Sequence, residues 1–172
     1  MSANRRGTIL ASIKKCLMAI FLIAILSVAL PPEVFAAGAA DGVENPKSCK
    51  QCGMDRTVFT RSRMLIVYAD GTTVGVCSLH CAVENMKQNR DKQLKSIMVA
   101  DYTTKELIDA KTAIWVVGGN KQGVMTSLPK WAFARGEDAQ KFVKENGGKI
   151  SSFDETMKAS KDEVEQSGKM SH

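Results

Sequence analysis

Histidine is nearly missing from this chain: of 172 residues only His80 and His172 are histidines. Aromatic residues make up 6% of the sequence. No GxSxG, P-loop or dinucleotide-binding glycine pattern occurs, which removes the motif-borne hydrolase and nucleotide readings. Asp70, Asp101 and Asp109 are available carboxylates, but no nucleophile is paired with them, and Asp70 is accounted for by a turn. No lysine or arginine stripe with interleaved aromatics is present, so nucleic acid is not an expected partner.

The N-terminus has a targeting layout. Arg5, Arg6, Lys14 and Lys15 precede an apolar run over residues 16–30. Pro31 and Pro32 break it, and Val34-Phe35-Ala36 offers a small-residue cleavage site before Ala37. Residues 1–36 read as a secretory signal peptide. At about 15 residues the run is short for a spanning helix of about 20. The alternative is an anchor that stays attached, which would bring membrane contact. No lipoprotein box precedes Cys16, and Arg5-Arg6 lacks twin-arginine flanks. Cleavage removes four basic residues and one acidic residue, lowering the formal charge from +6 to +3. The location implied is periplasmic, or otherwise exported.

Cleavage also removes Cys16 and leaves four cysteines in two tight pairs. Cys49-Lys50-Gln51-Cys52 runs into Gly53-Met54, and Cys77-Ser78-Leu79-His80-Cys81 follows. An exported chain meets oxidising conditions, so two disulfides in one of three pairings are one reading. A CxxC pair can also be redox-active. Sulfur ligands at metal-ligand spacing point instead to a soft metal ion.

The coarse organisation is α+β. Residues 37–48 read as a flexible leader. A first ββαβ half, 49–110, contains strands at 64–68 and 72–77 joined by the Asp70-Gly71 hairpin turn, a helix from a Ser78 cap to about Asn89, and a strand at 95–100. A second ββαβ half, 111–157, contains strands at 113–117 and 130–134, a helix at 137–146 ended by Gly147-Gly148, and a short strand from Lys149. Ser152 and Glu155 form a capping box that starts a final helix. From Lys158 the tail, 158–172, loses its apolar stripe and is expected to fray, with His172 disordered.

Within this frame Gly53 permits a close backbone turn, and Met54 places a thioether beside two thiols. Thiolate with thioether favours Cu(I), whereas Zn(II) has little use for Met54. Cys77 and Cys81 can face one point at a helix N-terminus, where the helix dipole would lower a thiol pKa. His80 lies about 100° round the helix from Cys81, and is either a further ligand or a surface residue gating the site. Met125, in the polar, glycine-containing stretch 118–128, is a candidate thioether from the second half, or a loop residue covering the core edge.

These residues together resemble the NosL family, the nitrous oxide reductase accessory proteins. The resemblance runs from about Cys49 to Met157. It rests on Cys49-Lys-Gln-Cys52-Gly53-Met54, on Val99-Ala-Asp101-Tyr102 with Leu107-Ile-Asp109-Ala110, on Trp115-Val-Val-Gly118, on Val124-Met125, and on Gly147-Gly148-Lys149 with Ser152-Phe153-Asp154. It implies two ββαβ-type halves, Cu(I) binding outside the cytoplasm and delivery to nitrous oxide reductase or its assembly machinery. By position, Cys52, Met54 and Met125 match the family's sulfur donors best. The chain departs from the family in lacking a lipobox, and in its Cys77–Cys81 segment, which resembles the second half of the TRASH and YHS metal-binding modules. The expectation is a non-enzymatic Cu(I) carrier with Cys49, Cys52, Met54, Cys77, His80, Cys81 and Met125 as candidate metal residues. The alternatives are a structural or heavy-metal-sensing four-cysteine Zn(II) module, a thiol–disulfide oxidoreductase, and a disulfide-stapled binding domain.

Overall fold

Alternation of apolar residues sets the first sheet. In β1 (Met64–Tyr68) the side chains of Met64, Ile66 and Tyr68 are buried, as period-two alternation requires. Asp70 Oδ1 accepts the Thr72 amide at 2.8 Å and Gly71 takes φ +85°, turning the chain into β2 (Thr73–Val76). A computed structural model describes residues 47–170 of the chain. The expected signal peptide, most of the leader, Cys16 and His172 lie outside these described residues.

After β2 comes helix α1 (Leu79–Gln88), then β3 (Leu94–Ala100) and a short β4 (Leu107–Asp109). All pairings are antiparallel, in the order β2-β1-β3-β4. The second sheet has the order β6-β5-β7, from β5 (Ile114–Val117), β6 (Lys130–Phe133) and β7 (Lys149–Ser151), with α2 (Gly136–Asn146) between β6 and β7. The two ββαβ halves are therefore present, and β4 is an addition that the sequence pattern did not signal. Leu107-Ile108-Asp109 is too short to show a period, and its pairing with Met98, Val99 and Ala100 defines it.

Two local expectations change. Ser78 occupies the N-cap position of α1, but its side chain makes no capping hydrogen bond. The final helix does not fray at Lys158: α3 runs from Phe153 to Met170. Its buried face includes Met157, Ser160 and Val164. That stripe packs against α1 and β5, and the small Ser160 within it hides the helical period from a hydropathy reading. The capping box forms as expected: the Glu155 amide donates to Ser152 Oγ at 3.3 Å, and the Ser152 amide donates to Glu155 Oε2 at 3.0 Å.

Asp101 joins the halves. It follows β3, is buried, and accepts the Thr104 amide at 2.7 Å and the Ala134 amide beyond β6 at 2.9 Å. The Tyr102 amide adds a bond to the Ala132 carbonyl at 2.8 Å. Burial pushes the Asp101 carboxyl up, but the amides of Thr104 and Ala134 outweigh it and hold its pKa below the usual carboxylate range. Asp101→Ala orphans two amides, and should lower unfolding stability at pH 7 by about 3 kcal/mol in urea titration. A depressed folded-state pKa stabilises above the unfolded value near 3.9 and is lost as pH falls through the folded value. The gap between variant and wild type should therefore narrow below about pH 4.

Candidate metal centre

The first cysteine pair sits in a tight backbone knuckle. The Cys49 amide donates to the Met54 carbonyl at 2.7 Å, and the Gly53 amide to the Cys49 carbonyl at 2.9 Å. Gly53 takes φ +76°, a conformation that suits glycine. Ser48 and Asp55 pair as an antiparallel bridge at the base. The knuckle then docks on the hairpin, where the Lys50 amide donates to the Gly75 carbonyl of β2 at 3.0 Å.

Arg56 locks this docking. Its fully buried guanidinium donates from Nε to the Val76 carbonyl at 3.3 Å and from Nη2 to the Met64 carbonyl at 3.2 Å. It lies flat on Gly75: a Cβ built there would stand 2.5 Å from the Arg56 Cζ. The second cysteine pair follows at once. Ser62 Oγ donates to the Cys77 carbonyl at 2.8 Å, and Cys81 stands in the first turn of α1.

The four sulfurs converge. All lie within 4.8 Å of one another, with Cys52–Cys77 at 3.5 Å and Cys77–Cys81 at 3.6 Å. All four are free thiols. A tetrahedral ion with sulfur ligands at about 2.3 Å has sulfur–sulfur edges of about 3.8 Å, so one ion fits with small adjustments. Cys49, Cys77 and Cys81 are buried (2%, 0% and 1% exposed), whereas Cys52 is half-buried. Cys52 is the edge of the cluster that a partner could reach.

The thiols titrate as a group. The Cys49 thiolate is favoured because Cys77 and Cys81 donate to it. In return Cys77 is pushed up to about 12, chiefly by its bond to Cys49, and Cys81 rises further, with the bonds to Cys49 and Cys77 first and burial next. This reverses the expectation that the helix N-terminus lowers the Cys77 and Cys81 pKa: a neighbouring thiolate and burial outweigh the helix dipole.

The remaining candidates are His80, Met54 and Met125. His80 is not among the clustered ligand atoms, and its Nδ1 is buried without a hydrogen-bond partner. Met54 and Met125 come together: with Phe59, Gln122, Gly123 and Val124 they line one cleft of about 370 Å³. Met54, Phe59 and Val124 pack against the same core that contains Cys49, Cys77 and Cys81. Met125 is 43% exposed, with the left-handed φ of +57°. Sequence reasoning missed Arg56 and Ser62. The usable signal was Gly75, since a glycine inside a strand marks a close approach by another group.

Cys77 and Cys81 are protonated at neutral pH, so a soft cation that takes both must displace their protons. Apparent Cd(II) affinity should rise at least about 100-fold per pH unit between pH 6 and 7, with proton release into weak buffer. A pH-independent affinity would show that these two thiols do not bind the ion.

No curated protein matches the chain. The crystal structure of the copper chaperone NosL from Shewanella denitrificans has a similar fold, with a TM-score of 0.53, 22% sequence identity, and coverage of 66% of this chain and 91% of that one. The NosL family model matches residues 42–160. With that match spanning most of its length, the chain belongs to the NosL family.

Proposed function

We propose that this protein is a non-enzymatic metallochaperone that carries copper as Cu(I) outside the cytoplasm and hands it to a copper enzyme, with nitrous oxide reductase the client that the family implies. The observation that carries the reading is the gathering of four sulfurs within 4.8 Å, three buried and one at the edge. Soft thiolates hold Cu(I) in preference to harder ions, and the thioethers of Met54 and Met125 extend the soft-donor set from the adjacent cleft. Copper is cargo here. Cys52, the accessible member, is where a recipient's sulfur forms its bond to copper as the bond to Cys52 breaks. Exchange one ligand at a time transfers the ion without freeing it into solution.

Export rests on the sequence of residues 1–36. Among the described residues no helix is long and apolar enough to cross a membrane. The second reading, a closed Zn(II) site, is favoured by the burial of three cysteines and by the fit to a tetrahedron. His80 has no assigned ligand role in either reading.

Anaerobic Cu(I) competition titration separates the two. Wild type should bind Cu(I) tightly and outcompete Zn(II). Cys52→Ser should weaken Cu(I) by about 100-fold or more, and Met125→Leu by about tenfold, both read as shifts in the competition curve. Near-stoichiometric zinc retained after gentle purification, with unfolding on chelation and only weak Cu(I) binding, would establish the structural zinc site instead.

A further inference from the structure

The loop between β5 and β6 carries Met125, and one side chain on α3 organises it. At its base the Gly118 amide donates to the Pro129 carbonyl at 2.8 Å. Inside it Gly123 leaves no room for a Cβ, which would meet Thr126 Cγ2 at 2.5 Å. The Glu163 carboxylate then takes up the descending limb. Oε1 accepts the Ser127 amide at 2.9 Å, the Ser127 hydroxyl at 3.0 Å and the Leu128 amide at 3.3 Å. Oε2 accepts Thr126 Oγ1 at 2.6 Å and Lys130 Nζ at 2.7 Å. Lys130 is almost wholly buried and Glu163 largely so, with side chains 2% and 16% exposed.

This arrangement follows immediately on Met125, whose φ of +57° is a strained conformation for a residue with a side chain. Such a conformation persists only where its surroundings hold it. Glu163 touches no sulfur in this network, and both of its oxygens are occupied by donors.

We propose that Glu163 is the positioning residue of the thioether site: by capping Thr126, Ser127 and Leu128 it holds Met125 in the cleft beside Met54. The proposal rests on Met125 being a copper donor, and goes beyond that in assigning the control of its position to α3. Lys130 supplies the compensating charge that lets a carboxylate be largely buried there. Burial pushes the Glu163 carboxyl up, but Lys130 and Thr126 bring it down to about 2, so the cap is charged at every physiological pH.

The test uses the mature chain labelled at methionine methyl carbons. In wild type the Met125 methyl resonance should shift on Cu(I) addition. Glu163→Ala should broaden or abolish that response and weaken Cu(I) by about tenfold, the range for residues that orient a metal ligand. Glu163→Gln, which keeps the acceptor for the Ser127 and Leu128 amides, should lie between. Thr126→Val with Ser127→Ala removes the two hydroxyl contacts to Glu163 from the loop side while keeping the backbone amides, and covers the case in which Glu163→Ala fails to fold. Cd(II) binding at the four cysteines should stay at the wild-type value in all of them. The double variant Glu163→Ala with Met125→Leu should be no weaker than Met125→Leu alone. If Met125→Leu leaves Cu(I) affinity unchanged, the donor role of Met125 fails and the proposal falls with it. If Met125→Leu weakens binding but Glu163→Ala and the loop-side variant do not, the positioning role alone is overturned.

Discussion

Twenty-four residues separate Cys52 from Cys77, and the buried guanidinium of Arg56 closes that distance in space. Removing such a group from water costs several kcal/mol. The cost is offset as its donors find partners, among them the carbonyls of Met64 and Val76. Those two residues are register partners across β1 and β2, so the side chain grips both strands of the hairpin from the knuckle side. Gly75 provides the flat surface on which it lies. Without that clamp the Lys50–Gly75 contact would be the main tie holding the first pair of sulfurs against the second.

The burial that Arg56 enforces gives the cluster its chemistry. Four thiolates in so small a volume would repel strongly, so the metal-free centre keeps protons on Cys77 and Cys81 and concentrates negative charge at Cys49. A soft cation replaces those protons and relieves the repulsion. The same burial admits both a carrier and a closed structural site. What separates them is the edge: Cys52 is half-buried, and the neighbouring cleft offers two thioethers where a purely structural site needs none.

The fold was legible where period and punctuation agreed. Met64–Tyr68 alternates, Asp70-Gly71 turns, and Gly147 with φ +73° ends α2. The candidacy of the cysteines was legible because CxxC and CxxxC spacings each place two sulfurs on one side of a short backbone segment, whereas the meeting of the two pairs came from the fold. Ligand membership was harder to read: His80 lies beside Cys81 in sequence, yet one helical step turns it out of the sulfur cluster. Arg56 carried no sequence signal because nothing local marks a partner in a strand some twenty residues later. The tail from Lys158 was expected to fray because, after Met157, its buried face continues through a serine, Ser160, before Val164.

That tail changes how the two halves relate. Val164 and Glu163 are adjacent in α3 but face different tasks: Val164 enters the main core with Met157, while Glu163 turns to the loop ahead of β6. Core packing of α3 therefore fixes where the carboxylate stands, and the carboxylate fixes the loop. The first half supplies the thiols and Met54, whereas the second half presents Met125 on a loop that its own sheet ties at the base and through Lys130 of β6, which donates to Thr126 Oγ1 and the Leu128 carbonyl. A rigid helix crossing from core to loop is a more exact means of placing a side chain than the loop's own hydrogen bonds, because packed interiors resist small displacements. The charged surface of α3, which hid its continuation past Lys158 in the sequence, thus includes a carboxylate that connects the hydrophobic core to the thioether cleft.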